Sequence, residues 1–288
     1  MSKKILITGG TGFIGSNLIN SLNSENYIIN IGRNKNLRCE NIFWNLQGNL
    51  DDLLLNDVDI IIHCASIVGN TSNNKSDYID INLKSTLELL EFSIKNKVKK
   101  FILISTGGVY GYSKKVLDEN DICNAREIYS LSKYFSEKVC ELYKDKLSIV
   151  VLRMFFPYGE GQKSRLISNL FNDILEKKEI MLSKNGQPII NPVHIIDVVN
   201  IIKNIIKNDL DGTFNICGNE FLSIEQLCKK IAYLEKVDET HFIYGDNDID
   251  NLMGNGKKIC RALKYDMQIS LDEGLKLFSM SLRKEGGI

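Results

Sequence analysis

The sequence has little of what marks membrane-spanning, metal-binding or nucleic-acid-binding proteins. Its longest mostly apolar stretch, residues 60–68, is too short to span a bilayer. Lysine plus arginine and aspartate plus glutamate each number 36, and no run of one sign offers a surface to nucleic acid or to an anionic membrane. The three histidines, at positions 63, 194 and 241, form no metal-ligand pattern. We therefore expect no metal, nucleic acid or membrane among the partners of this chain.

The cysteines exclude a further class of protein. There are 7 of them among 288 residues, and no two have the C-x-x-C spacing of a zinc or redox site. We therefore expect thiols in a reducing compartment rather than a disulfide framework. Only three apolar residues, 5–7, separate the start from the first glycines, so no signal peptide is expected. These features predict a cytoplasmic protein.

A glycine-rich turn near the start is the clearest positive signal. Three glycines at three-residue spacing follow the apolar run 5–7 and precede a segment with apolar residues every four positions. Strand, glycine turn and helix in this order are typical of a dinucleotide-binding site, whereas the alternative is an ordinary turn between a strand and a helix. The glycines would permit a sharp turn, a close approach to a pyrophosphate and tight packing of helix on strand. We expect the cofactor to contact Gly9, Thr11, Gly12, Phe13, Ile14 and Gly15.

Strands and helices alternate through the first half of the chain, which predicts an α/β fold with a doubly wound parallel sheet of the Rossmann type. Residues 1–160 are predicted to form the dinucleotide-binding domain, with residues from about 190 to 220 returning to it. Residues 161–288 are predicted to form mainly a smaller, carboxy-terminal, substrate-binding lobe. Ligands would then bind at the carboxyl ends of the strands.

The end of the second predicted strand bears on the choice of cofactor. An acidic residue at this place would hold the ribose 2′-hydroxyl of NAD. The sequence has Gly32 and Arg33 instead, and an arginine suits a 2′-phosphate. We therefore predict NADP(H) as the preferred cofactor and NAD(H) as a possible one; the less favoured alternative is that Arg33 is a solvated loop cation. Two further strand ends are expected to approach the cofactor, through Asn45, Leu46, Cys64, Ala65 and Ser66.

A tyrosine and a lysine carry the predicted chemistry. Tyr129 and Lys133 are four residues apart on a predicted helix, so that both point to one face, although a surface pair would have the same spacing. A nearby ammonium favours the phenolate, and Tyr129 could then move a proton at neutral pH. Thr106, at a strand end, could hydrogen-bond the same substrate oxygen. Tyr129 and Lys133 are also expected to touch the cofactor.

These motifs resemble those of the extended short-chain dehydrogenase/reductase family, in particular its NAD(P)-dependent sugar epimerases and dehydratases. The resemblance implies a nicotinamide cofactor in the amino-terminal domain, a sugar substrate in the carboxy-terminal lobe, and Thr106, Tyr129 and Lys133 as the catalytic set. It also implies a homodimer through the helices near 78–96 and 129–144. The matching segments are the turn at 9–15, residues 104–111, residues 129–133, Arg153 with Tyr158 and Gly159, and residues 191–198.

The departures from this family affect the predicted substrate. Sugar-nucleotide 4,6-dehydratases carry an Asp-Glu pair directly after the catalytic threonine, whereas this chain has Gly107 and Gly108, which disfavours dehydration. Phe156 stands where relatives often have an asparagine that helps to hold the substrate diphosphate. Arginine binds a diphosphate through its two-pronged guanidinium, so other arginines could substitute. The expected substrate-binding residues are Thr106, Gly107, Phe156, Arg165 and Arg261.

Three functions are compatible with these residues. The leading prediction is an NADP(H)-dependent reductase of a keto-sugar, expected to be nucleotide-linked, in which Tyr129 is the acid and base. The alternative is an NAD-dependent nucleotide-sugar epimerase, which oxidises and re-reduces the same carbon while keeping its cofactor. The third is a cofactor-sensing binding protein on the same fold, which would have no need of a catalytic tyrosine.

Overall fold

The computed structural model describes residues 2–48, 50, 55–69 and 71–284. The strands are β1 (Lys4–Thr8), β2 (Tyr27–Gly32), β3 (Glu40–Phe43), β4 (Ile60–His63), β5 (Lys100–Thr106), β6 (Ser148–Met154), β7 (Pro157–Tyr158), β8 (Glu179–Leu182), β9 (Ile189–Ile190), β10 (Val193–His194), β11 (Gly212–Ile216), β12 (Leu222–Ser223) and β13 (His241–Tyr244). The helices are α1 (Phe13–Leu22), α2 (Ser76–Tyr78), α3 (Ser85–Lys95), α4 (Ile128–Glu141), α5 (Leu166–Leu175), α6 (Ile195–Lys207), α7 (Ile224–Glu235), α8 (Lys257–Leu263) and α9 (Leu271–Lys284).

A seven-stranded sheet has the order β11-β6-β5-β4-β1-β2-β3. The pairings of β1 with β2 and β4, of β2 with β3 and of β4 with β5 are parallel. The chain builds outwards from β1 in both directions, so the strand order reverses between β1 and β4. The predicted doubly wound parallel sheet is therefore confirmed, and the glycine turn leaves the sheet at this reversal.

The central strands are buried on both faces, as their continuous apolar sequences predict. Leu6 and Ile61 belong to a buried cluster that includes Leu89 and Leu90 of α3. Because side chains alternate along a strand, the neighbouring Ile5 and Ile7, which are also buried, point to the opposite face. Each such side chain contributes about 1.5–3 kcal/mol when fully buried. This packing fixes the strand ends from which the predicted site residues project.

The helix predicted over residues 78–96 is interrupted by a π-helical segment, Ile79–Lys84. Its wider turn displaces the regular backbone ladder, and side-chain hydroxyls bond the carbonyls there. The Ser85 hydroxyl donates to the carbonyl of Ile81, and the Thr86 hydroxyl donates to the carbonyl of Asn82 over 2.7 Å. A Ser136 hydroxyl from α4 also donates to the Asn82 carbonyl, over 3.0 Å. The segment is therefore stabilised by small polar side chains rather than by helix propensity.

The chain forms two compact units that are interleaved in sequence. Unit 1 comprises Met1–Val109, Cys123–Arg153 and Ile202–Phe214, and unit 2 comprises Tyr110–Ile122, Met154–Ile201 and Asn215–Ile288. In unit 2, an aromatic group is formed by Phe278 with Phe171 and Tyr158, whose ring centroids lie 5.3 and 6.4 Å from that of Phe278. The sequence-based boundary at residue 160 stays a prediction.

The helices are short. Helices α4 and α9 each have 14 residues. Within the described ranges, no helix is long and apolar enough to cross a membrane. The seven cysteines are present as free thiols.

Candidate active site

The glycine turn depends on contacts that only glycine permits. Gly9 has a φ of 69°, and a Cβ atom there would lie 2.8 Å from the amide nitrogen of Ala65. A Cβ on Gly15 would lie 2.2 Å from the carbonyl oxygen of Gly9, so α1 packs directly on the backbone of the turn. A Cβ on Gly12 would meet only that same oxygen, at 3.2 Å. Gly9 and Gly15 are therefore fixed by packing, whereas a side chain at Gly12 would press less closely on the turn, against the Gly9 carbonyl oxygen.

The first turn of α1 is open to an anion. Gly12 is the N-cap residue and provides no side-chain cap, and the first turn has no acidic residue. Thr11 and Gly12 are exposed, whereas Phe13 and Ile14 are half-buried. The backbone N–H groups of a helix start attract negative charge, and in the described part of the chain no side-chain cap occupies them here. The predicted pyrophosphate contact thus has a suitable geometry.

Gly15→Ala is expected to lower the free energy of unfolding by about 1–3 kcal/mol, since the added methyl must displace backbone. The measurement is urea unfolding of the cofactor-free protein, with dinucleotide affinity followed in parallel. Gly32→Ala is the matched control, because a Cβ there meets nothing within 4 Å. Equal stability of the two variants would contradict the close packing of α1 on the turn.

A buried hydrogen-bond chain fixes the end of β4 beside the turn. The Ala65 N–H donates to the Thr8 hydroxyl oxygen over 3.0 Å, and that oxygen lies 2.7 Å from Nδ1 of His63. Nε2 of His63 lies 3.2 Å from the Ser85 hydroxyl, which donates to the carbonyl of Ile81. The donor order assigns the neutral Nε2–H tautomer to His63. Burial lowers the pKa of His63 well below its ordinary value, which agrees with a neutral ring.

The same strand end carries three predicted cofactor contacts. Cys64 and Ser66 are half-buried, whereas Ala65 is buried. The following loop is held by Asn82 of the π-helix, whose side chain accepts from the N–H of Ile67 over 2.8 Å and donates to the Ile67 carbonyl over 3.0 Å. Asn82 also donates to the Ser132 hydroxyl over 2.9 Å. It therefore ties the loop after β4 to α4.

The end of β2 has no carboxylate and an ordered loop beyond it. Arg33 is exposed and, among the described residues, has no hydrogen bond or ion pair. Asn30 accepts from the N–H of Gly10 over 3.0 Å, and Asn36 donates to the Gly10 carbonyl over 2.8 Å. The side-chain oxygen of Asn41 joins these two asparagines, because it accepts hydrogen bonds from the Asn30 side-chain amide over 2.8 Å and from the backbone N–H of Asn36 over 2.7 Å. The loop that carries Arg33 is thereby held against the glycine turn.

The two cofactor contacts predicted after β3, Asn45 and Leu46, differ in their exposure to solvent. Asn45 is exposed, and its side chain accepts from the N–H of Gln47 over 3.0 Å. Leu46 is buried in the same apolar cluster as Trp44 and has a φ of 67°. Of this pair, Asn45 is thus the one whose side chain is open to solvent.

Thr106 ends β5 with its hydroxyl oriented. The N–H of Gly108 donates to the Thr106 hydroxyl oxygen over 3.1 Å, which leaves the hydroxyl hydrogen for another acceptor. A Cβ on Gly108 would lie 2.6 Å from the Ser130 hydroxyl and 3.4 Å from that of Thr106. The end of β5 therefore adjoins the first turn of α4, which begins with Ile128 and Tyr129. A larger side chain at position 108 would displace Ser130.

Lys133 is a buried cation whose hydrogen-bond donors are not used within the described part of the chain. Its side chain is 1% exposed, and its Nζ has no hydrogen-bond partner among the described residues. Burial lowers its pKa to about 8, and the Glu137 carboxylate opposes this effect. Tyr129, one turn earlier on α4, is half-buried. Such an unpaired buried ammonium is costly and marks a place where a ligand oxygen would be favoured.

A buried ion pair lies behind Lys133. Nε of Arg153 on β6 donates to the two carboxylate oxygens of Glu137, over 3.2 and 3.1 Å, and the terminal nitrogen Nη2 donates over 2.7 Å. The Ser105 hydroxyl donates to the same carboxylate. The pair thus connects β5, α4 and β6.

The remaining predicted substrate residues are distributed between the units. Gly107 follows Thr106 in unit 1, whereas Phe156, Arg165 and Arg261 belong to unit 2. Phe156 is half-buried with a φ of 46°, a left-handed conformation in which asparagine is enriched and a bulky residue is an outlier. Arg165 is the half-buried N-cap of α5, and Arg261 is exposed on α8. Their substrate contacts stay predictions.

Unit 1 fits a nicotinamide dinucleotide. The uncapped start of α1 suits the pyrophosphate, and the unpaired Lys133 Nζ suits a ribose hydroxyl. Sequence reasoning missed three buried contributors, namely Asn82, Glu137 and Arg153 as a partner of Glu137. The signal for Glu137 was its position one turn after Lys133, and that for Asn82 was an amide within an apolar helical stripe.

Comparison with known proteins agrees with this architecture. The profile of the NAD dependent epimerase/dehydratase family matches residues 5–217. An uncharacterized UDP-glucose epimerase of Bacillus subtilis, YtcB, is 31% identical, over 94% of this chain and 95% of its own. A putative UDP-glucose 4-epimerase of Methanocaldococcus jannaschii is 32% identical, over 94% and 96%. The crystal structure of UDP-glucuronic acid 4-epimerase from Bacillus cereus in complex with NAD has a TM-score of 0.87 and 26% identity, over 98% of this chain and 99% of that one.

The profile match extends over most of the chain, and it includes the glycine turn and the segment with Thr106, Tyr129 and Lys133. The expected class of enzyme, an NAD(P)-dependent oxidoreductase or sugar epimerase of the short-chain dehydrogenase type, is confirmed. The chain belongs to the NAD dependent epimerase/dehydratase family.

Proposed function

We propose that this enzyme is a nucleotide-sugar epimerase that retains NAD and inverts a carbon by oxidation and re-reduction. The observation that carries the proposal is a combination of two features. Helix α4 holds Tyr129 and the unpaired Lys133, and the adjoining end of β5 has no carboxylate, because positions 107 and 108 are glycines. The relatives favour this alternative from the sequence over its leading prediction of an NADP(H)-dependent reductase. UDP-sugars are the first substrates to test, because the names of these relatives specify them.

In the proposed reaction, each residue has one task. The bound nicotinamide supplies the hydride chemistry. Tyr129 takes the proton from a sugar hydroxyl during oxidation and returns it to the keto oxygen during reduction. Thr106, whose oxygen is occupied by the Gly108 N–H, donates its own hydrogen to the same sugar oxygen. Lys133 stabilises the Tyr129 phenolate and binds a ribose hydroxyl.

The test is to denature the purified protein, identify the released nucleotide and follow UDP-sugars by NMR. The expected result is tightly retained NAD and interconversion of two sugar epimers without added cofactor. Stoichiometric consumption of NADPH, with no interconversion, would overturn the proposal. A homodimer through α3 and α4 stays a prediction from the family resemblance.

A second candidate, the NADP(H)-dependent reductase, is favoured by the end of β2. Gly32 leaves open space where a carboxylate would repel a 2′-phosphate, and Arg33 is free to bind one. On this candidate, Arg33→Ser is expected to weaken NADP binding roughly tenfold through loss of a charged hydrogen bond, and to leave NAD binding unchanged. Calorimetric titration with both nucleotides measures this, with Arg38→Ser on the same loop as control. An unchanged ratio of affinities would remove the support that Arg33 gives to the reductase.

A further inference from the structure

Glu137 connects the two elements that carry the predicted catalytic residues. It lies one helical turn after Lys133 and two turns after Tyr129, so the three side chains share one face of α4. Its carboxylate accepts the hydroxyl of Ser105, the residue directly before Thr106 on β5. The end of the strand that orients Thr106 is thus bonded to the helix that orients Tyr129.

A third element holds the carboxylate in place. Arg153 of β6 donates hydrogen bonds to both carboxylate oxygens of Glu137, and the side chains of Arg153 and Glu137 are 9% and 3% exposed. A two-pronged guanidinium fixes the orientation of a carboxylate as well as its charge. The ion pair therefore holds Glu137 in the conformation in which it accepts the Ser105 hydroxyl.

We propose that Glu137 is a positioning residue for proton transfer, whose carboxylate fixes Thr106 relative to Tyr129 and supports the ammonium of Lys133. The first part follows from the hydrogen bond to Ser105 and from the common helix face. Misplacement of a reacting group by about 1 Å can cost roughly a hundredfold in rate. The proposal rests on the proposed function only for the reaction by which turnover is measured.

The effect of Glu137 on Lys133 depends on which other neighbours of Lys133 are ionised. On β4, Cys64 is a thiol and His63 is neutral, because burial raises the pKa of Cys64 to about 12 and lowers that of His63. On α4, burial likewise raises the pKa of Cys140 to about 12. Near neutral pH, Glu137 is then the carboxylate among these neighbours that opposes the effect of burial on Lys133.

The other two groups near Lys133, Arg153 and Tyr129, do not replace the negative charge of Glu137. Arg153 on β6 is a cation and acts on Lys133 in the opposite sense, although Glu137 neutralises it. Tyr129, one turn earlier on the same helix, is the group whose phenolate the ammonium stabilises in the proposed reaction. Removal of the Glu137 charge would therefore lower the pKa of Lys133 further below its ordinary value.

Three variants separate the two parts of the proposal. Ser105→Ala removes the bond to Glu137 and keeps every charge. Glu137→Gln removes the charge and keeps an acceptor for Ser105. The double variant Glu137→Gln with Arg153→Met removes both charges of the ion pair, so that Arg153 is not left as a buried cation without its carboxylate if the single variant folds poorly. Glu141→Gln is the matched control, since it removes a carboxylate from an exposed site on the same helix.

The measurements are kcat, KM, their pH dependence, and NADH binding against pH from the fluorescence of Trp44, the one tryptophan in the sequence. Ser105→Ala is expected to lower kcat about tenfold, with KM within about threefold and an unshifted alkaline limb. Glu137→Gln is expected to lower kcat by a similar factor. It is also expected to shift the alkaline limb of the pH profile of kcat to lower pH, and NADH binding should weaken at a correspondingly lower pH. The double variant is expected to melt near the wild-type temperature with kcat still low.

Wild-type kcat in Ser105→Ala and in the double variant would overturn the positioning role. An alkaline limb and NADH binding unchanged by a folded Glu137→Gln, or moved equally by Glu141→Gln, would overturn the role of the charge. If the wild-type protein turns over no sugar, the proposed function fails, whereas NADH binding against pH still tests the link from Glu137 to Lys133.

Discussion

Tyr129→Phe is expected to lower turnover about 10²- to 10⁴-fold, the usual contribution of a positioned acid–base group. The variant removes one oxygen from a half-buried ring, so the fold and the affinity for the nicotinamide cofactor should change little. The loss should fall on kcat, because Tyr129 moves the proton in the chemical step rather than in the binding of the sugar. Steady-state kinetics on the substrate identified by NMR measures it.

The control for this loss is Tyr134→Phe on the same helix. Tyr134 is half-buried and lies under the Lys138 ammonium, 5.4 Å from its ring centroid, and its hydroxyl is outside the proposed reaction. It should retain the wild-type kcat. Equal turnover of Tyr129→Phe and the wild-type enzyme would contradict the acid–base role of Tyr129.

Lys133→Met is expected to stabilise the cofactor-free protein while abolishing most of its activity. The pKa of Lys133 is lowered by burial from 10.5 to about 8, so the folded state binds fewer protons than the unfolded state between these values. Stability therefore rises with pH across this window, and the cost of the buried ammonium, about 3 kcal/mol, is fully present below pH 8. Methionine keeps the aliphatic volume and removes the charge. The melting temperature near pH 7 should thus rise by a few degrees.

The comparison with and without cofactor distinguishes this effect from general repacking. At a hundredfold excess over its dissociation constant, a ligand stabilises by about 2.7 kcal/mol, and Lys133→Met should lose much of that gain along with the ribose contact. Lys138→Met is the control, since Lys138 is exposed and paired with Glu141. A cofactor-free Lys133→Met that melts below the wild-type protein would contradict the unpaired state of this ammonium.

Much of the sheet and the predicted site could be inferred from the sequence because the signals are local. The apolar run before Gly9, the glycine spacing and the helical period after it lie within about twenty residues, and backbone sterics connect them. Tyr129 and Lys133 are likewise neighbours by helix geometry. Strand alternation then predicted a parallel sheet, whose carboxyl ends bring separate segments to one edge.

The features that sequence analysis missed depend on contacts between distant segments. Glu137 and Arg153 are 16 positions apart, and their pairing is evident only when β6 is placed beside β5. The π-helical turn around Asn82 is stabilised by Ser136 of another helix, which no local pattern encodes. The cofactor preference could be inferred only in part. Arg33 is evident in the local sequence and favours NADP(H), whereas the relatives favour NAD.

The interleaving of the two units bears on how the chain folds while it is being synthesised. Unit 1 needs Ile202–Phe214, and β11 covers the edge of β6 in the sheet. At roughly 5–20 residues per second, β6 leaves the ribosome several seconds before this edge strand does. During that interval the nascent β6 presents unpaired backbone groups along an apolar strand, a template for misassembly. Newly made chains that end before residue 212 are thus the ones most in need of chaperones.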